Sequence, residues 1–396
     1  MKFRCSRCLY WSDHPLGITF DSNGVCSGCQ VHEEKNYLDW QQRSADLQGI
    51  FSSQKFQSKY DCIIPVTGGQ DSFFTVHYAV HNLGLNPLLV NFNRTFNSKE
   101  GILNLAKLRT KFDVDFRQYS INPNVTKAVV NCTLANLGSL NWLWIAGQTS
   151  FPVRLAVQLN IPFVLWGSHQ GLEQVGMFSH LENVEMTKRY RRDHDLMGID
   201  ETDIFEFDPS FSKEDISSLA YPEDQDLLRS GVRGIYLGNY VRWDPSDQHA
   251  FVSKTYGYEG RRTSRAYSFF DNPDCPAYFG IQDMLKQIKF GYSKATDQLT
   301  REIRHGRISR TKALRIERKL LASRPEGIKE FADWLGVSIA TVNTVLLQHS
   351  VNFASEILIG DWNKQKFKKS LRKKFIESLE RDRFLDNDFQ NIGKGI

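Results

Sequence analysis

The 396-residue chain has no uninterrupted run of 18 apolar residues, which excludes a membrane-spanning helix of ordinary length. Its opening, Met1-Lys2-Phe3-Arg4, leads into a cysteine pair instead of an apolar stretch, so no secretory leader is expected and the chain reads as soluble and cytoplasmic. Neither sign of charge dominates. Fifty Lys and Arg against 45 Asp and Glu leave a net +5, too little to argue for nucleic acid by itself, although it suits an anionic small substrate. Internal repeats and low-complexity tracts are missing, which excludes solenoids and linker arrays. Beyond residue 29 cysteine is scarce: Cys62, Cys132 and Cys275 stand alone, and none sits in a small-residue nucleophile elbow. What remains is an ordinary globular composition, 41% hydrophobic and 24% charged, in a chain long enough for an α/β core and one or two smaller modules.

The other four cysteines form two pairs, Cys5-x-x-Cys8 and Cys26-x-x-Cys29, separated by 17 residues. A C-x-x-C knuckle directs two thiolates at one ion, and two knuckles complete a tetrahedral set, so a structural Zn²⁺ is expected; an iron–sulfur cluster or redox disulfides are the competing readings. Four thiolates leave no open position for water, so this metal would hold a fold and do no chemistry. Ile18-Thr19-Phe20 followed by Asp21-Ser22-Asn23-Gly24 reads as a strand and turn between the knuckles, as in a zinc ribbon.

A second feature lies at Thr67-Gly68-Gly69-Gln70-Asp71-Ser72, between the β-branched run Cys62–Val66 and a helical pattern in Phe73, Val76, Val80 and Leu83. Two glycines let backbone approach an anion, and the helix start offers unpaired N–H groups. Thr67 and Ser72 add hydroxyls. Asp71 cannot face phosphates without a cation, so it is read as a Mg²⁺ ligand. No G-x-x-x-x-G-K-[ST] element occurs, which excludes a Walker loop. Further strands are read at Pro87–Phe92, near Val114-Asp115-Phe116 and at Ile161–Trp166, with a helix through Ile102, Leu105, Ala106 and Leu108. This alternation implies a parallel sheet covered on both faces, with ligands at the carboxyl ends of the strands, where Thr67, Asn91 to Asn97 and Gly167 to Gln170 converge. Four regions are expected: a zinc module at 1–35, a helical connector at 36–59, the α/β domain at 60–285 and a helical region at 286–396. Within the last, Phe331 to Val342 has the rhythm of a helix-turn-helix, read here as a packed helical hairpin, and Lys364 to Lys374 is a basic stretch.

The Thr67–Ser72 turn resembles the pyrophosphate loop of N-type ATP pyrophosphatases, the PP-loop or adenine nucleotide alpha hydrolase-like superfamily, usually written SGGxDS. That resemblance implies cleavage of ATP between its α and β phosphates. Longer strings are similar to the N-acetyl sugar amidotransferases of lipopolysaccharide (O-antigen) biosynthesis: Trp166-Gly167-Ser168-His169-Gln170 on to His180, Arg191-Arg192-Asp193-His194-Asp195, Tyr236-Leu237-Gly238-Asn239, Lys289-Phe290-Gly291-Tyr292-Ser293-Lys294 and Ile303-Arg304-His305-Gly306. Family members often read SGGKDS, so Thr67 and Gln70 depart from the pattern and leave phosphate charge to Mg²⁺ and to basic residues elsewhere.

The resemblance implies conversion of an acetamido group on a nucleotide-activated sugar, a diacetamido uronic acid, into an acetamidino group. ATP adenylates the acetamido oxygen and ammonia displaces AMP. It also implies that ammonia comes from a separate glutaminase resembling that of imidazole glycerol phosphate synthase, with a cyclase-like barrel partner; the lack of a glutaminase nucleophile agrees. ATP contacts are expected from Thr67, Gly68, Gly69, Gln70, Asp71, Ser72, Asn91 and Gly167, and catalytic roles from Asp71, Lys294 and His169. Glu173, His180, Arg191 and Arg261, with Arg192 and Arg262, are substrate candidates, and Asp297 joins Asp71 as a Mg²⁺ ligand. Structural hydrogen bonds compete for His169, Glu173 and His180, helix capping for Asp297, and surface ion pairing for the arginines. The alternative function is a tRNA-modifying enzyme of the same superfamily, a thiolase; a DNA-binding protein with a degenerate loop stands third.

Overall fold

The structure, a computed structural model, describes residues 2–53, 58–271 and 274–349. The basic stretch from Lys364 to Lys374 lies outside the described residues.

Five strands form one parallel sheet: β1 (Cys62–Pro65), β2 (Pro87–Phe92), β3 (Phe116–Tyr119), β4 (Phe163–Trp166) and β5 (Arg233–Tyr236), in the order β3-β2-β1-β4-β5. Alternate side chains enter opposite cores, as the pleat requires. Ile64, Leu89, Phe163, Leu165 and Ile235 pack with Phe73, Val76 and Leu108 on one face. Ile63, Leu88, Val90 and Val164 pack with Val153, Leu155 and Ala156 on the other. The parallel α/β class read from the pattern is the one observed, together with a four-cysteine cluster at the N-terminal end and helices towards the C-terminal end.

Local differences have local causes. The third strand begins at Phe116, two residues beyond the expected Val114, because the edge strand carries the exposed polar side chains Arg117, Gln118 and Tyr119 and so has little apolar signal. The fifth strand was not anticipated: four residues with a glycine inside give almost no period. In the Lys99–Lys111 helix, Ile102 faces solvent and the buried positions are Gly101, Asn104 and Leu108. Helix dominates before residue 286, and the division drawn at 285/286 falls inside the Pro276–Phe290 helix. The Phe331–Val342 segment is a hairpin of the Ile328–Leu335 and Ile339–Gln348 helices, turned at Gly336 (φ +75°). Its Phe331, Ala332, Leu335, Val342 and Leu346 are spent in the core that holds Val129, Trp142 and Leu285.

Strand order reverses between β1 and β4: from β1 the chain goes first to β2 on one side and later to β4 on the other. That switch point opens a crevice at the carboxyl ends of the two strands. Behind β2 the Trp142–Leu159 helix crosses closely because Gly147 lacks a side chain; a Cβ there would fall 2.0 Å from the Phe92 ring. Gly147→Ala gains about 1 kcal/mol of helix propensity but overpacks this contact by about 1–3 kcal/mol, so its urea midpoint should fall below that of the wild type.

Candidate active site

The turn after β1 is shaped by its own sequence. Gly68 holds φ +81°, and a Cβ there would lie 3.1 Å from the Leu105 nitrogen, so both backbone and space require glycine. The Thr67 N–H donates to Ser72 Oγ (3.1 Å) and the Gly69 N–H to Thr67 Oγ1 (3.3 Å), closing the turn around the start of the Gln70–His77 helix. The first turn of that helix, whose N–H groups carry partial positive charge, lines the crevice through Gln70, Asp71 and Ser72. Gln70 Nε2 donates to the Pro245 carbonyl (3.0 Å).

Two cavities flank Thr67, of about 170 and 230 Å³. The first lies at the switch point and brings Asp71 and Ser72 together with Ser168 and Gln170 after β4 and with Asp271. Its far wall is the Lys294–Arg304 helix, which presents Lys294, Asp297, Gln298, Arg301 and Arg304. The second is lined by Asn91, Asn93, Arg94, Asn97, Gln118 and Gln148 among others. Asn91 ties the strand ends by donating to the Val66 carbonyl (2.7 Å). The expected convergence of Thr67, the loop after β2 and the loop after β4 is therefore divided between two adjoining cavities.

Asp71 is accessible from the cleft mouth yet enclosed by protein on its other sides. Removal from bulk water, and next the charge of Asp271, push its carboxyl up to about 6. Asp271 is held below the ordinary range: burial opposes its ionisation, but Arg301 and Lys294 outweigh that, helped by bonds from Gln298 Nε2 (2.8 Å) and Arg301 Nη2 (3.0 Å) to Oδ2. Two carboxylates in one cleft form an oxygen donor set for a hard divalent cation, which would relieve the repulsion that Asp71 otherwise relieves by taking a proton. Lys294 stands opposite, and among the described residues no carboxylate is within ion-pairing distance of its ammonium.

Several expected residues lie elsewhere or are already engaged. Asp297 lines the cleft, and its two oxygens accept from Tyr10 Oη (2.8 Å) and Lys286 Nζ (2.6 Å). His169 is buried among the rings of Phe178, Tyr190 and Tyr236, and its Nδ1 accepts from the Gly171 N–H (3.0 Å). Burial pushes it down to about 3, which makes it a neutral structural imidazole. His180 is sealed against Glu34 (3.1 Å), and Arg191 is buried with bonds to Thr149 Oγ1 (2.9 Å) and the Leu219 carbonyl (2.8 Å). Arg192 pairs with Asp200 (3.1 Å), Arg261 is directed at Glu100 (3.4 Å) and Arg262 lies over the Phe269 ring. Glu173 alone of the substrate candidates reaches the cleft; one oxygen accepts from Lys35 Nζ (2.7 Å) and the other has no partner. Gly167 packs under Trp243 and accepts the Gly238 N–H (3.0 Å).

Asp271 and Arg301 escaped sequence reasoning. Asp271 stands in an irregular stretch with no motif. Arg301 did carry a signal: Lys294, Asp297, Arg301 and Arg304 recur at three- and four-residue spacing, one polar stripe along a helix.

At the N-terminal end the two knuckles are single antiparallel bridges, Arg4 with Trp11 and Phe20 with Cys26. The four buried sulfurs lie within 4.8 Å of one another, and Cys5 Sγ accepts N–H groups from Cys8 (3.4 Å) and Cys26 (3.3 Å). Tetrahedral Zn–S bonds of about 2.3 Å put sulfurs about 3.8 Å apart, so the cluster fits one Zn²⁺.

Residues 262–380 match the family model described as LPS biosynthesis protein WbpG-like, C-terminal domain, a stretch that contains Asp271 and the whole Lys294–Arg304 helix. Over 114 residues the chain is 25% identical to an uncharacterized protein of Methanocaldococcus jannaschii; the match spans 28% of this chain and 40% of that relative. Among solved structures it is similar to NMN synthetase from Francisella tularensis, at 14% identity and TM-score 0.33, covering 68% of this chain and 94% of that one. It is also similar to the NH3-dependent NAD synthetase of Campylobacter jejuni, at 14% identity and TM-score 0.29, covering 56% and 94%. A third similar structure is the U34-tRNA thiolase of Methanococcus maripaludis, at 12% identity and TM-score 0.29, covering 83% and 91%.

A divalent cation held by Asp71 would compete with its proton, so Mn²⁺ affinity read by electron paramagnetic resonance should be constant above pH 7 and weaken roughly tenfold per unit below about 6. Metal analysis should return one zinc per chain, and substantially less for Cys26→Ser.

Proposed function

We propose that the chain is an ATP-dependent amidotransferase that converts an acetamido group of a nucleotide-activated sugar, a diacetamido uronic acid, into an acetamidino group in lipopolysaccharide O-antigen biosynthesis. The observation that carries this reading is the meeting, at the switch point of the sheet, of the Thr67–Ser72 turn with Asp271 and Lys294. Those two residues come from the segment that matches the WbpG-like domain.

The triphosphate would lie across the Gly68–Ser72 backbone, with adenosine in the amide-lined cavity beside Asn91. Asp71 and Asp271 would hold Mg²⁺, which when bound neutralises charge on the pyrophosphate leaving group. The acetamido oxygen attacks the α-phosphorus and pyrophosphate departs, leaving an O-adenylated imidate. Ammonia then adds to the imidate carbon, the C–O bond to AMP breaks, and the amidine retains the new nitrogen. Lys294 stabilises the charge that builds on the α-phosphate oxygens. Glu173 lines the cleft with one carboxylate oxygen on Lys35 Nζ (2.7 Å) and the other buried without a partner.

Ammonia would come from a separate glutaminase docked with a cyclase-like barrel, since free ammonia is mostly protonated at neutral pH. Among the described residues no cysteine lines either cavity, and Cys62, Cys132 and Cys275 are buried elsewhere, which favours nitrogen over sulfur as the nucleophile.

Protein incubated with Mg-ATP, ammonium and a diacetamido uronic acid nucleotide sugar should release AMP and pyrophosphate in step with amidine formation seen by mass spectrometry. AMP release that requires tRNA and ignores the sugar would overturn this reading. Asp71→Ala and Asp271→Asn should each lower kcat by at least about 100-fold with zinc content unchanged, and Lys294→Met by about 100-fold.

A further inference from the structure

One side chain belongs to both the four-cysteine site and the cleft. Arg304, the last residue of the Lys294–Arg304 helix, directs Nε at Cys29 Sγ (3.4 Å) and Nη2 at Cys26 Sγ (3.8 Å). Its Nη1 donates to the carbonyls of Glu173 (3.1 Å) and Gln174 (2.7 Å), the segment that forms a wall of the cleft. The second knuckle and that wall also touch through backbone. A Cβ on Gly28 would lie 2.3 Å from Arg304 Nη2 and 2.4 Å from the Gln174 carbonyl oxygen. Gly176, at φ +64°, would meet the Ser27 carbonyl at 2.4 Å, and Ser27 Oγ donates to the Val175 carbonyl (2.8 Å).

A bound divalent ion makes the four sulfurs thiolates, a net −2 site, and N–H bonds to them become charge-assisted. Without the ion nothing holds the four sulfurs in these positions, and the acceptors for Nε and Nη2 are no longer fixed. Arg304 then loses the anion that fixes half of its fork, while its other half holds Glu173 and Gln174 only through two carbonyls.

We propose that Arg304 is a positioning residue that couples metal occupancy of the Cys5–Cys8–Cys26–Cys29 site to the order of the Glu173–Gln174 wall, and so links zinc to ligand binding in the cleft. The link to ligand rests on the nucleotide reading of the cleft; the ordering of the wall does not. By reciprocity, whatever binds against the ordered wall must also tighten the binding of the metal.

Hydrogen exchange over residues 171–175 is compared in zinc-loaded wild type, zinc-stripped wild type and zinc-loaded Arg304→Met. Stripping should raise exchange about tenfold, and Arg304→Met should match the stripped protein while keeping one zinc per chain. Wild-type protection in zinc-loaded Arg304→Met overturns the proposal. If that variant fails to fold, Arg304→Lys serves: its single ammonium cannot span sulfurs and carbonyls together, so intermediate exchange is expected and wild-type protection again overturns it. In a separate arm, magnesium and α,β-methylene-ATP should raise zinc affinity, read by equilibrium competition with a chelator, about tenfold in the wild type and leave that of Arg304→Met unchanged. An analogue that binds by direct titration without raising zinc affinity sinks the linkage. An analogue that does not bind at all sinks the nucleotide reading, and hydrogen exchange then decides the role of Arg304 alone.

Discussion

A polar helix buried on most sides must find partners for its polar groups within the protein, and the geometry of this molecule follows from how the Lys294–Arg304 helix does so. Seven of its eleven residues are buried, and five of those seven are polar. Thr296 donates to Glu317, which also receives Arg4 from the N-terminal module; Asp297 accepts from Tyr10 and Lys286; Gln298 and Arg301 grip Asp271; Glu302 pairs with Arg307. Satisfying one helix thus draws the four-cysteine module, the loop after β4 and the irregular stretch around Asp271 into a common position. The cleft is the space left between that assembly and the turn after β1.

The two departures in the Thr67–Ser72 turn take on physical meaning in this setting. Gln70 lines the cleft but commits its Nε2 to the Pro245 carbonyl, anchoring the start of the Pro245–Tyr256 helix. The cation that a lysine there would supply is available across the cleft from Lys294. Thr67 keeps a hydroxyl, and uses it to close the turn on Gly69.

What was legible in the sequence was whatever is encoded within a few neighbouring residues. The cysteine pairs, the glycine turn, and β1 and β2 announce themselves by spacing and by apolar runs. The third strand was legible only weakly and two residues early, because its side chains are polar and exposed, and the fifth not at all, because Arg233-Gly234-Ile235-Tyr236 is too short to carry a period. Site residues divide in the same way. His169, His180 and Arg191 have the right chemistry and lie in suggestive strings, yet which side of a loop a residue faces is decided by packing partners 40 or more positions away, such as Tyr236 for His169 and Thr149 for Arg191. Asp297 shows the limit most clearly. Its place beside the cleft was legible, and its engagement by Tyr10, far earlier in the chain, was not.

The bonds from Tyr10 to Asp297, from Arg304 to Cys26 and Cys29, and from Arg310 Nε to the Cys8 carbonyl (3.1 Å) join residues separated by roughly 300 positions. Contacts of such separation form late, because the intervening chain must already be arranged before they close. The four-cysteine module leaves the ribosome long before the helices it docks against and is among the last parts to be fully docked. The cleft exists only once those helices have emerged to meet it. The order in which the molecule is made is therefore the reverse of the order in which its active cleft is completed.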